Sequence, residues 1–212
     1  SWAENFDPYQ RQTYITEGTP YQYSFYVPQD MAGLIKLMGG KQQFINKLDT
    51  LFINEEYWHG NEPSHHIAYL YPFVGAAWKT QEKVREIIYQ EYANAPGGIS
   101  GNDDAGQMSA WLVFSMMGFY PVTPGDGIYV VGSPVFDQVE IHLQNGNTFK
   151  LICHNNSKDN VYIQEAQLNG HTMDRAYFSH QELTSGATLE FTMGPKPNKT
   201  WATSDLPPSL SD

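Results

Sequence analysis

Three short segments gather residues that can do chemistry. In the first, Thr16-Glu17-Gly18-Thr19-Pro20-Tyr21-Gln22-Tyr23, a glutamate sits among turn formers and is followed by aromatic residues rather than solvating charge. A carboxyl desolvated by such neighbours has its pKa raised, which suits a general acid at neutral pH. A surface glutamate in a loop is the plainer alternative. In the second, Gly60-Asn61-Glu62-Pro63-Ser64-His65-His66, carboxylate and amide oxygens flank a proline-fixed turn. Such oxygens suit a hard cation like Ca²⁺, whereas adjacent histidines point about 100° apart on a helix and do not share a zinc. A capping turn followed by one buried histidine is the competing reading. In the third, Gly98 to Met108, the run Asn102-Asp103-Asp104 lies in a glycine-flanked loop just before a strongly apolar stretch. One acid suffices to cap a helix, so a second carboxylate there is a candidate general base.

Two carboxylates on separate loops, aromatic walls and an oxygen-rich turn point to glycoside hydrolysis, in which one acid protonates the leaving oxygen and a partner activates water or attacks directly. Other chemistries lack their signatures. There is no Gly-x-Ser-x-Gly elbow, no His-Glu-x-x-His helix and no Gly-Lys-Ser/Thr phosphate loop. Cys153 falls in an expected strand without a partner and reads as structural.

The elements that must hold these loops change character near residue 127. Before it the punctuation is helical. Asp30 is placed to cap a helix over 31–38 that stops at Gly39-Gly40, and Phe44, Ile45, Leu48, Leu51 and Phe52 follow the spacing of an amphipathic helix. The apolar segment 67–78 is expected to be helical, kinked or divided by Pro72 and Gly75. A helix over 80–92 and a buried helix over 108–117, apolar nearly all round, complete five helical segments. After residue 127, alternation predicts strands over 129–131, 139–143, 148–153, 161–168 and 188–193. Asn145-Gly146 and Asn169-Gly170 mark tight hairpins, and the last dozen residues read as a tail or a crossing strand. The class is α+β: a helical part, 1–127, followed by an antiparallel β part, 128–212.

Composition narrows the partners. A formal charge of −11 argues against nucleic acid, which demands a basic face. Apolar runs fall short of the ~20 residues of a membrane span, and a single cysteine excludes an intrachain disulfide framework. Aromatic residues reach 14 %, enough to serve a core and also to stack on sugar rings.

The run Gly101-Asn102-Asp103-Asp104-Ala105-Gly106-Gln107-Met108-Ser109-Ala110-Trp111, continuing to Gly118-Phe119-Tyr120-Pro121-Val122, resembles the signature of glycoside hydrolase family 92. Further hallmarks follow the family's order: Glu17-Gly18 with Tyr21-Gln22-Tyr23, Val27-Pro28-Gln29-Asp30, Gly60-Asn61-Glu62-Pro63 with His65-His66, and Gly132-Ser133-Pro134. The resemblance implies a Ca²⁺-dependent, inverting exo-α-mannosidase acting on mannose-containing oligosaccharides such as N-glycans or mannan. Glu17 would be its general acid and Asp104 its general base. Glu62 and Asn61 would belong to the calcium segment, and Asn102, Asp103, His65 and Trp2 would support the base or line the sugar pocket. Asn102 stands where some relatives carry Asp, and Thr19-Pro20-Tyr21 varies from the family's usual acid loop.

The resemblance also implies an (α/α)₆ toroid of twelve helices beside an N-terminal β-sandwich, in chains of roughly seven hundred residues. With five helical segments, this sequence is expected to be the C-terminal portion of such an enzyme, completed by the remainder of its parent. Mannose-trimming chemistry implies a periplasmic, cell-surface or secreted, bacterial setting. Two other readings stay open: an inverting glucosidase or phosphorylase on a similar toroid, and a non-catalytic carbohydrate-binding fragment. A phosphorylase needs basic residues near its base, and Lys158 and Lys196 are remote in sequence from Asp104.

Overall fold

The structure, a computed structural model, describes residues 6–123 and 125–211; Trp2 lies outside them. Local chemistry sets the first helices. The Thr19 hydroxyl caps α1 (Pro20–Tyr23) by accepting from the Gln22 amide. Asp30 Oδ1 caps α2 (Met31–Leu37) by accepting from Gly33 N at 3.0 Å, and Gly39 and Gly40, both at positive φ, end it. Helix α3 (Lys41–Ile53) buries Phe44, Leu48 and Leu51, one stripe at helical spacing.

The segment 67–78 is divided rather than one α-helix. After a 3₁₀ turn over Glu62–Ser64 it runs as buried 3₁₀ turns over Ile67–Tyr69 and Tyr71–Val74, and its last two residues already belong to the next helix. Pro72 supplies the reason: it has no N–H for the Ala68 carbonyl, which accepts instead from the Thr80 hydroxyl at 2.7 Å. Gly75, left-handed at φ 75°, then turns the chain into α4 (Ala77–Glu91). Helix α5 (Gln107–Met117) stops at left-handed Gly118. Its expected all-round burial is not met within this chain. Met108, Trp111 and Ser115 are buried on one face, while Val113 is 55 % exposed on another.

Two sheets follow. β1 (Phe119–Tyr120), β2 (Ile128–Val131) and β7 (Tyr177–Ser179) form a three-stranded antiparallel sheet in the order β1-β2-β7. The larger sheet contains β3 (Gln138–His142), β4 (Thr148–His154), β5 (Tyr162–Leu168), β6 (His171–Thr172) and β8 (Thr188–Gly194), in the order β3-β4-β8-β5-β6. Its hairpins β3–β4 and β5–β6 turn on the two Asn-Gly pairs. Asn169 and Gly170 are both left-handed, but in the first pair only Gly146 is. The β part is not purely antiparallel. β8 inserts between the hairpins and runs parallel to β4, with Leu151 opposite Leu189, because a long crossover separates the two strands. That crossover includes the short helix α6 (His180–Thr184).

The core has two clusters. One surrounds Phe25, Phe44, Tyr69, Tyr71 and Trp111; the other surrounds Phe119, Phe149, Phe178 and Phe191. Buried Cys153 belongs to the second, and burial pushes its thiol up to about 12, against the opposing charge of Arg85, as a structural cysteine requires. Arg85 on α4 ties that helix to the loops that follow β2 and β4. Its guanidinium is buried and donates to Ser133 O, Ser133 Oγ, Pro134 O and Asn156 Oδ1, with no carboxylate among these partners. The C-terminal residues cross back to the helices, where the Ser211 hydroxyl donates to the Asp30 carboxylate at 2.6 Å.

Candidate active site

The three segments singled out above meet in space. Buried Gln22 donates its side-chain amide to the Ser64 hydroxyl, and Asn61 Nδ2 donates to the Glu17 carbonyl at 2.9 Å. These bonds stitch the Glu17 loop to the Glu62 turn. The third loop packs so tightly on that turn that a Cβ at Gly101 would collide with the Gly60 carbonyl. Glycine is therefore a packing requirement at Gly101.

Both carboxylates expected to catalyse sit on left-handed backbone, Glu17 at φ 67° and Asp104 at φ 45°. Ala105 (φ 57°) and Gly106 (φ 95°) continue the excursion into the start of α5. A non-glycine residue pays roughly 1–2 kcal/mol to stand there, a strain that clusters at functional sites. Both side chains are exposed within this chain, so the aromatic residues after Glu17 do not bury it. Tyr21 instead packs edge-on against Phe25, and the Tyr23 hydroxyl donates to the Thr16 carbonyl at 2.7 Å.

Glu62 lies between them. Burial pushes its carboxyl above the usual range, and its own backbone N–H opposes that. The neighbouring carboxylate of Asp104, then the charge of Glu17, push it further up. Glu62 Oε1 is buried with no hydrogen-bond partner, an orphaned acceptor of the kind a cation or a substrate donor completes. Among the described residues, no group of three or more His, Cys, Asp or Glu is arranged to hold a metal ion.

The remaining expected residues take different positions. Asp103 acts as a tether: its Oδ1 accepts from Ser109 N at 2.9 Å and from Ser109 Oγ at 2.8 Å, anchoring the loop to α5. Asn102 is exposed beside it. His65 is buried, pushed down by that burial against the raising effect of its contact with the His59 carbonyl. Its own carbonyl accepts from Trp111 Nε1 at 2.8 Å.

Several residues received no role from the sequence. His59 is buried between two phenols, with Tyr57 Oη at 2.8 Å from Nδ1 and Tyr92 Oη at 2.7 Å from Nε2, and Tyr92 donates onward to the Met108 carbonyl. Gln107 bridges His65 and Tyr120. The 107/111 spacing, one helical turn on the face that meets the Glu62 segment, was the available signal. A cavity of about 420 Å³ opens here, lined by Tyr26, Glu62, His65, His66, Gln107 and Tyr120 among others. A second cavity, about 400 Å³, lies at the sheet edge near Asp174, Arg175 and Asp205, whose polar atoms are engaged by Ala202 N, Glu182 and Tyr177 Oη.

The model of the glycosyl hydrolase family 92 catalytic domain matches residues 1–195. A protein of Arthroderma benhamiae named an uncharacterized secreted glycosidase is 36 % identical over 205 residues, covering 94 % of this chain and 26 % of that protein. A family GH92 α-mannosidase of Bacteroides thetaiotaomicron, in complex with mannoimidazole, superposes with a TM-score of 0.94 at 39 % identity, covering 99 % of this chain and 31 % of its own. A family GH92 inverting mannosidase of the same organism gives 0.93 at 36 % identity, covering all of this chain and 32 % of its own. The chain thus spans about a quarter to a third of the length of these relatives. No helix among the described residues is long and apolar enough to cross a membrane. With the matched region extending over all the helices and strands named above, this chain belongs to glycosyl hydrolase family 92.

Proposed function

We propose that this chain carries the acid and the base of an inverting, Ca²⁺-dependent exo-α-mannosidase that releases terminal mannose from N-glycan or mannan chains. One observation carries the reading: two carboxylates, Glu17 and Asp104, stand on strained left-handed backbone in loops that flank Glu62. Glu17 is the general acid that protonates the departing glycosidic oxygen. Asp104 is the general base that takes a proton from water attacking the opposite face of the sugar. Asp103 holds the Asp104 loop on α5, and Asn102, unlike an aspartate, adds no second carboxylate to the base.

Glu62 and its chain neighbour Asn61 carry hard oxygen donors, and the orphaned Glu62 Oε1 fits a cation. When bound there, Ca²⁺ supplies electrostatic hold on sugar hydroxyls and bias toward a flattened ring. We assign residues 1–127 to the C-terminal part of an (α/α)₆ toroid and 128–212 to the β segment packed on it. The exposed apolar flank of α5 at Val113 then faces the remainder of the enzyme, whose parts, with Trp2, wall the pocket. The secreted relative and the polysaccharide substrate together suit a periplasmic, cell-surface or secreted location.

The test is hydrolysis of α-1,2-mannobiose by the full-length enzyme, with Ca²⁺ and with a chelator. Mannose release that needs Ca²⁺ is the expected result. Activity indifferent to the chelator removes the metal from the reading, and failure on every α-mannoside linkage removes the activity.

A further inference from the structure

We infer that the cavity beside Glu62 is a pyranose-binding site read by an acceptor–donor pair, Gln107 Oε1 and the Tyr120 hydroxyl, which makes these two residues determinants of substrate specificity. The inference deepens the activity proposed above and rests on it for the identity of the sugar.

The orientation of Gln107 follows from the bonding around it. His65 Nε2 lies 3.0 Å from the His59 carbonyl, an atom that only accepts, so Nε2 carries the proton. With its proton on Nε2, the ring's other nitrogen, Nδ1, is the lone-pair acceptor. The Gln107 atom 3.2 Å from Nδ1 must then be the amide nitrogen. Its other hydrogen goes to Tyr120 Oη at 3.0 Å. Both amide hydrogens are thereby spent, and Gln107 Oε1 is left with no donor among the described residues. Tyr120 accepts from Gln107, so its own proton is likewise without an acceptor among them.

A free acceptor and a free donor, held side by side on the wall of the cavity, match two neighbouring hydroxyls of a sugar, each able to give one hydrogen bond and receive another. At the rim Tyr26 is 55 % exposed, held edge-on to His66 with ring centroids 5.3 Å apart, and offers an aromatic face to ring C–H groups. About 420 Å³ lies within the ~300–1,000 Å³ usual for small-molecule sites. The lining carries no Lys or Arg, so the ligand is a neutral sugar rather than a sugar phosphate.

The experiment is calorimetric binding of methyl α-mannopyranoside to the full-length protein and to Tyr120→Phe and Gln107→Met, with mannobiose hydrolysis measured on the same preparations. Tyr120→Phe removes a single hydroxyl and leaves the ring stacked on Tyr69, so it is the variant least able to disturb folding. Each variant is expected to weaken binding about fivefold to thirtyfold and to raise KM far more than it lowers kcat. Hydrolysis with sugar binding indifferent to Tyr120→Phe overturns the site and leaves the proposed activity standing. Sugar binding that is lost in the variants, in a protein that hydrolyses no mannoside, supports the site and overturns the activity.

Discussion

The helical and sheet regions pack their interiors from different materials. Among the described residues, the buried polar side chains are concentrated before the first long strand: Gln22, His59, Asn61, Ser64, His65, His66, Thr80, Gln81, Arg85 and Ser115. The sheet region contributes Ser133 and otherwise buries apolar side chains, as where Phe149 and Phe178 stack 5.5 Å apart. Backbone strain divides similarly. In the sheet region the left-handed non-glycine positions are Asn155 and Asn169, a residue type that tolerates them, and Ala202, whereas in the helical region they are Glu17, Glu55, Asp104 and Ala105, three of them acids. Each buried polar group must find a partner or cost roughly 1–3 kcal/mol, and each strained acid is tolerable only where neighbours hold it. The helical region accepts most of those costs, and with them it aims side chains; the sheet region carries fewer and supports it.

Substitutions can break that contrast. The largest effect is expected from Glu17→Gln and Asp104→Asn in the full-length enzyme, each lowering kcat by about 10²–10⁴ while leaving the melting temperature nearly unchanged, because both side chains are exposed. Phe178→Ala should do the reverse. It empties a fully buried site beside Phe119 and Phe149, costing about 3–5 kcal/mol in denaturant unfolding, while the folded fraction keeps its kcat. If Asp104→Asn unfolds the protein as readily as Phe178→Ala, the division between aiming and supporting regions fails.

The sequence made local features legible where one residue and its near neighbours decide the outcome. The Asp30 cap, the Gly39-Gly40 stop and the Phe44–Leu48–Leu51 stripe are of this kind, as is the Asn169-Gly170 turn. What distant partners decide was hidden. The parallel register of β4 with β8 depends on a crossover, and the Arg85 joint is built from backbone and side-chain oxygens 48 to 72 residues away, which have no signature in sequence. The same holds for the site. Its segments stood out by composition, but the bond from Asn61 to the Glu17 carbonyl and the fixed Gln107 amide emerge only when the loops meet.

Acid sharpens the contrast more gently. Burial, then the neighbouring His65, push the His66 imidazole from 6.5 down to about 4, against the hydrogen bond its Nε2 donates to the Phe25 carbonyl. The unfolded chain takes up a proton near pH 6.5 and the folded one only near 4, so the stability from this group is complete above 6.5 and is lost as the pH falls toward 4. The loss approaches about 3 kcal/mol. Urea unfolding at pH 7.5 and pH 4.5 is expected to show a smaller acid loss for His66→Gln than for the parent. Equal losses would mean that His66 does not carry this part of the pH dependence.

The smallest effects come from two helix starts that look equivalent by stability alone. On α6, Ser179 Oγ accepts from Glu182 N, and the Glu182 carboxylate accepts from Ser179 N at 2.7 Å, a reciprocal cap far from the carboxylates. On α5 the first helical turn follows Gly106, which has no side chain to offer, and Asp103 reaches to Ser109 instead. Ser179→Ala and Asp103→Ala should each cost about 1 kcal/mol. Only the second frees the loop that carries Asp104, one residue along from the tether, so only Asp103→Ala should also lower kcat, by about tenfold. Asp103→Asn keeps an oxygen for Ser109 N and should restore most of that loss. Restoration by Asn assigns Asp103 to positioning, because an acid needed for its charge would not be replaced by an amide.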